Sequence, residues 1–238
     1  MRQPRKSEHR KEIIPPVVVK ETGSHKQFQL ERVVLFSDAV FAIAITLLII
    51  EIRVPAIHTN DVGEMDILSA LLNLIPKFIG FVISFFMIGL YWTRHHTLFG
   101  YVVNNTPRLM WLNLFFLLSI VLMPFSTGIF GEYSTPSTIH LKTPLIIYVL
   151  NICYSGMMLY MLWRYVGNPD NNVTDGSLDP RVVRLAKART IAMASVFALA
   201  IPVAFINGYL ARYVPLLIPP LIRQVNRRMA KREEATTK

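Results

Sequence analysis

From Ala39 to Ile50 the sequence runs AVFAIAITLLII, twelve residues without a charge, and it forms the centre of the first of several apolar runs long enough to cross a membrane. A helix rising about 1.5 Å per residue needs about 20 residues to cross a hydrocarbon core of about 30 Å. Such runs lie at 34–53, 70–92, 109–130, 143–163 and 188–206, and a weaker sixth at 209–222 holds Pro215, Pro219 and Pro220. Proline removes a backbone donor, so this last segment is expected to be short or kinked. The chain therefore reads as an all-α integral membrane protein with a six-helix transmembrane bundle. With 53% of residues hydrophobic, 17% charged and a mean hydropathy of +0.41, it carries more apolar side chains than a soluble core of 238 residues would hide.

A net charge of +10 would suit nucleic acid, but the basic residues gather at the two ends and in particular loops, as they do beside a cytoplasmic membrane face. With the N-terminus inside and six spans, 21 of the 25 Lys and Arg fall on the inner side, leaving Arg53, Lys77, Lys142 and Arg212 outside. Both termini are thus assigned to the cytoplasm, and Lys77 is close enough to the outer end of its span to snorkel. Residues 1–30, with Pro15, Pro16 and Gly23, read as a mobile basic tail ahead of a channel domain at 31–222. A second basic tail at 223–238 holds Arg227, Arg228, Lys231 and Arg232, and either tail suits contact with anionic lipid. About thirty mostly polar residues precede the first run, so no cleaved signal peptide is expected. The single cysteine, Cys153, permits no internal disulfide or cysteine metal cluster and reads as a small buried hydrophobe. The triplets starting at Asn104 and Asn172 resemble glycosylation sites but fall on the inner face.

A carboxylate within a span costs about 2.5–3.5 kcal/mol at the helix centre, so Asp38 requires a partner or a watery cavity. Span one enters from the inner face, span two returns and span three enters again. Arg32, Ser37 and Asp38 then lie at a depth similar to Thr93, Arg94, His95, His96 and Asn113. One polar cluster tying three helices together is expected, with a hydrogen-bonded staple as its simplest role. Metal is not expected there, because adjacent histidines point apart on a helix and no carboxylate stands at ligand spacing. At about 100° per residue, Ile43, Thr46, Leu47 and Ile50 share one stripe, with Asp38 about 140° from Ile43. Periodicity alone makes that stripe ordinary packing.

Arg32, followed by Phe36-Ser37-Asp38 and the run from Ala39 to Leu48, resembles the R-x-x-x-F-S-D signature of the potassium channels related to the lysosomal transmembrane protein 175. The end of span two, IGLYWTRHHTLF, and span three, LNLFFLLSIVLMPFSTGIF, look like the matching spans of its prokaryotic members. The resemblance is strong over 32–130 and rests on hydropathy alone beyond that. It implies a central pore lined by the first helix, without a TVGYG filter, constricted at Ile43, with further apolar layers at Leu47 and Ile50 and a selectivity threonine at Thr46. It also implies a polar network of Arg32, Ser37, Asp38, Trp92, His95 and His96, to which Phe36 of the motif and Asn113 of the cluster are added. The animal proteins carry two six-helix repeats, whereas this sequence has one motif and about six spans. One pore helix cannot enclose a path, so the resemblance implies a homotetramer.

The expected function is passive, potassium-preferring cation conduction in the cell membrane, with potassium as permeant ion, no cofactor, and neither nucleic acid nor a small-molecule substrate as partner. Branched side chains at a narrow ring exclude water, and the Thr46 hydroxyls replace part of an ion's hydration. The alternatives are a proton or weakly selective leak through Asp38 with His95 or His96, and a secondary transporter. The titratable groups sit at one end of the span, and no paired repeats or broken midplane helices are visible. No H-E-x-x-H, G-x-S-x-G or phosphate-binding glycine loop occurs, so an enzyme is not expected.

Overall fold

The structure is a computed structural model that describes residues 23–55 and 63–236, so the N-terminal tail as far as residue 22 lies outside the described residues. Residues 23–30, expected within that tail, are instead helical, because α1 (Gly23–Ile50) runs on past Glu31 and Arg32. Hydropathy ends a span at its first charges, whereas Gln, Leu, Glu and Arg all favour helix. The span expected at 70–92 divides into α2 (Glu64–Leu72) and α3 (Ile75–Phe99). Pro76 lies in the first turn of α3, where its missing N–H costs nothing.

Next come α4 (Pro107–Val121) and α5 (Met123–Glu132), which together make one span from Pro107 to Glu132 interrupted at Leu122. Pro124 sets the break, since its ring opposes the carbonyl of Ile120 one turn earlier. α6 (Thr143–Val166) precedes α7 (Pro180–Ile206), which starts well before the expected residue 188. Asp179 caps it, its Oδ1 accepting from the Arg181 N–H at 2.7 Å, and the charges after it occupy a helix, not a loop.

Among the described residues five helices are long and apolar enough to cross a membrane, and there is no strand. The sixth segment is not one helix. Asn207 ends α7 in extended backbone and accepts from the N–H groups of Tyr209 and Leu210 at 2.8 and 3.2 Å. α8 (Gly208–Tyr213), a 3₁₀ turn at Val214–Leu217 and α9 (Ile218–Thr236) follow, breaking where the prolines lie. All three pieces lie along α7, and Arg189 Nε, near the start of α7, donates to Asn226 Oδ1 at 2.8 Å, so the chain returns antiparallel to α7. The basic tail expected at 223–238 is helical as far as Thr236.

α1 packs on α3, α4 and α5, while α6 sits between α4, α5 and α7. In lipid these contacts rest on close packing and hydrogen bonds, because apolar surface gains little by leaving a hydrocarbon solvent. At Gly156 an added Cβ would meet the Ala194 Cβ at 3.3 Å, which shows how closely α6 and α7 approach. Tyr91, Phe116, Ile152, Trp163 and Phe197 fill the core. Lys77, expected to snorkel, pairs with Glu132 at 2.6 Å. Cys153 is only partly buried, with Sγ 3.6 Å from the Ala194 carbonyl. The Asn104 amide donates to the Asn172 carbonyl at 2.9 Å, so the two glycosylation-like triplets join the α3–α4 and α6–α7 loops.

Candidate functional site

α1 docks on its own subunit through one narrow line, Ser37, Phe41, Ala44 and Leu48, each nearly inaccessible to solvent. Spacings of four, three and four keep that line on one face. Ile43, Leu47 and Ile50 are 59%, 40% and 66% exposed, and Thr46 is exposed beside them. Their mean direction is about 140° around the helix from the docking line. The stripe that periodicity alone made ordinary packing therefore does not pack within the subunit. The Thr46 hydroxyl donates to the Ile43 carbonyl at 2.8 Å, which occupies its proton and leaves its lone pairs free to accept.

The polar residues form two groups. In the buried one, Ser37 Oγ donates to the Val33 carbonyl at 2.8 Å and accepts from Asn113 Nδ2 at 2.9 Å. Asn113 Oδ1 then faces His95 Nε2 at 2.8 Å, so the chain of donors places the imidazole proton on Nε2. His95 is fully buried between Phe99 and Phe116, with ring centroids 4.3 and 5.6 Å away. Its Nδ1 is buried and has no hydrogen-bond partner among the described residues. The second group sits at the surface: Trp92 Nε1 donates to Asp38 Oδ1 at 2.9 Å, and His96 packs on Trp92 with centroids 5.8 Å apart.

Residues 32–124 match the family of the endosomal/lysosomal potassium channel TMEM175. A potassium channel of Streptomyces collinus is 32% identical over 183 residues, 74% of this chain and 83% of that protein. The chain belongs to the TMEM175 family. A potassium channel of Chamaesiphon minutus is 37% identical over 108 residues, 45% of this chain and 52% of that protein. The crystal structure of a lysosomal potassium-selective channel TMEM175 homolog from the same organism superposes with a TM-score of 0.68 at 26% identity, covering 84% of this chain and all of that one. The TMEM175 match begins at Arg32 and ends at Pro124, and so takes in every residue of the two polar groups and of the exposed stripe.

Two expected members of the network stand apart from it. Arg32 lies with its guanidinium carbon 6.0 Å from the Phe28 ring centroid and lines a cavity beside Asn113 without a hydrogen bond to any described residue. Phe36 is 53% exposed in the same cavity wall. Hydroxyl groups spread over three spans form a polar seam that hydropathy conceals. Thr127 Oγ1 lies 2.7 Å from Ser84 Oγ, itself 3.0 Å from Tyr148 Oη, while Tyr91 Oη donates to the Ile152 carbonyl at 3.0 Å. Ser84 and Tyr148 are lone polar residues in apolar runs, and only helix pairing brings α3, α5 and α6 together. Glu51, just past α1, presses its carboxylate on Gly128, a contact that a side chain there would block.

Proposed function

We propose that this chain conducts cations passively, with preference for potassium, through a path enclosed by α1 of four identical subunits. The observation that carries this is the exposed Ile43, Thr46, Leu47 and Ile50 stripe opposite the face by which α1 docks. A fourfold axis along it would stack three apolar layers and one hydroxyl ring within about 10 Å of helix. Such a constriction excludes water, and acceptor lone pairs from four Thr46 hydroxyls replace part of the hydration of a cation. That both prokaryotic relatives are named potassium channels supports the same ion. The return of α8 and α9 along α7 supports a sixth, broken crossing, which would put both termini on the cytoplasmic side, where the basic loops lie.

The test is flux through purified protein in potassium-loaded liposomes, with the subunit count read from the intact complex mass. Potassium efflux faster than sodium efflux from a tetramer is expected. A tetramer passing neither cation would sink the reading, and proton flux alone would replace it with the proton path. Thr46→Val keeps the shape and removes the lone pairs. It is expected to lower the potassium-to-sodium permeability ratio by about fivefold, the equivalent of about 1 kcal/mol for one hydrogen-bond-strength contact. Bi-ionic reversal potentials measure this directly.

A further inference from the structure

Between the start of α4 and the end of α6 lies a cavity of about 360 Å³ whose lining includes Arg108, Arg164, Asn168, Leu112 and Met161. Its rim is cationic. Both arginines are exposed, and among the described residues neither makes an ion pair and no carboxylate lines the cavity. Arg108 is positioned by Tyr165, whose ring centroid lies 5.5 Å from the guanidinium carbon. Tyr165 is itself fixed by Thr106, the α4 cap, with the two hydroxyl oxygens 3.0 Å apart. The N-terminal end of α4 adds the positive end of its dipole to the same rim.

The wall beneath is apolar. Leu112 stands one turn deeper than Arg108, about 6 Å along its helix, and Met161 nearly one turn deeper than Arg164, about 4.5 Å along its own. Both helices belong to candidate membrane spans, and this end carries the basic loops. A soluble anion would find no use for the apolar wall, and a neutral lipid none for two unpaired guanidiniums.

We propose that this cavity binds the phosphate of an anionic phospholipid, held by Arg108 and Arg164, with the lipid chain against Leu112 and Met161. Guanidinium groups suit a phosphate because their planar forks meet two oxygens at once. The site is independent of ion conduction, and a protein that conducts nothing could still hold it.

Photoactivatable phosphatidylglycerol in phosphatidylcholine nanodiscs holding the full chain tests this. In the unaltered protein, labelling is expected to concentrate at 108–112 and 161–165. Unlabelled phosphatidylglycerol is expected to displace it and inorganic phosphate is not. Arg108→Gln with Arg164→Gln is expected to reduce the labelling about tenfold, in line with the loss of two phosphate-facing charges. Arg227→Gln with Arg228→Gln, which removes equal charge from exposed positions on α9, is expected to leave it within about twofold. Labelling dispersed over the spans, equal loss in the two double variants, or displacement by inorganic phosphate would each overturn the lipid site. The label distribution and the competition need no variant, so they decide the matter even if the arginine substitutions impair folding.

Discussion

Ile43→Asn is expected to raise potassium conductance and to reduce the discrimination between potassium and sodium. Ile43 is 59% exposed on the face of α1 turned away from its own subunit. At a fourfold axis four branched side chains would meet there, and the barrier to an ion is then the absence of water within the ring. Four carboxamides supply donors and acceptors at the same depth and let water persist. If they lower the barrier by only about 1.4 kcal/mol, the conductance rises roughly tenfold. Selectivity would fall with it, because an ion that keeps its hydration shell would not need the proposed Thr46 ring to replace it. Single-channel recording of the purified protein reads both quantities, and unchanged conductance would remove Ile43 from the path.

The membrane helices were legible because crossing lipid leaves a length and composition signature that few other constraints disturb. Their ends were less so. α1 and α7 extend beyond the hydropathy limits because charged residues such as Glu31, Arg32, Arg181 and Arg184 sit comfortably in a helix that has left the hydrocarbon. The exposed stripe was visible as a period, but a period does not say whether Ile43 faces a neighbouring helix, lipid or a path. That required the docking line Ser37, Phe41, Ala44 and Leu48 on the other side. Topology placed the polar residues at one depth, but it could not divide them. Depth is set by chain direction, whereas burial depends on rotation about each helix, and one residue of rotation separates the buried Ser37 from the partly exposed Asp38.

That division predicts where the subunit is fragile. Asn113 joins α4 to both α1 and α3, accepting from His95 and donating to Ser37, and it is 2% exposed. In Asn113→Leu the His95 Nε2–H loses its acceptor and Ser37 loses a donor in a site that water does not reach. At about 1–3 kcal/mol for an unsatisfied buried group, the loss is about 2–4 kcal/mol. Thermal unfolding in detergent is then expected to fall by roughly 5–15 °C, at about 2–4 °C per kcal/mol for a chain of this size. Trp92→Phe removes a single hydrogen bond of similar length to a partly exposed carboxylate and strands no buried donor, so its cost is expected to be lower, at about 1.5 kcal/mol. The decisive measurement is the double variant. Replacing His95 by Leu as well removes the stranded donor along with its acceptor, so His95→Leu with Asn113→Leu is expected to cost less than the two single changes added together. Strict additivity would mean that the hydrogen bond between α3 and α4 contributes nothing of its own, and that the aromatic stack on His95 holds these helices without it.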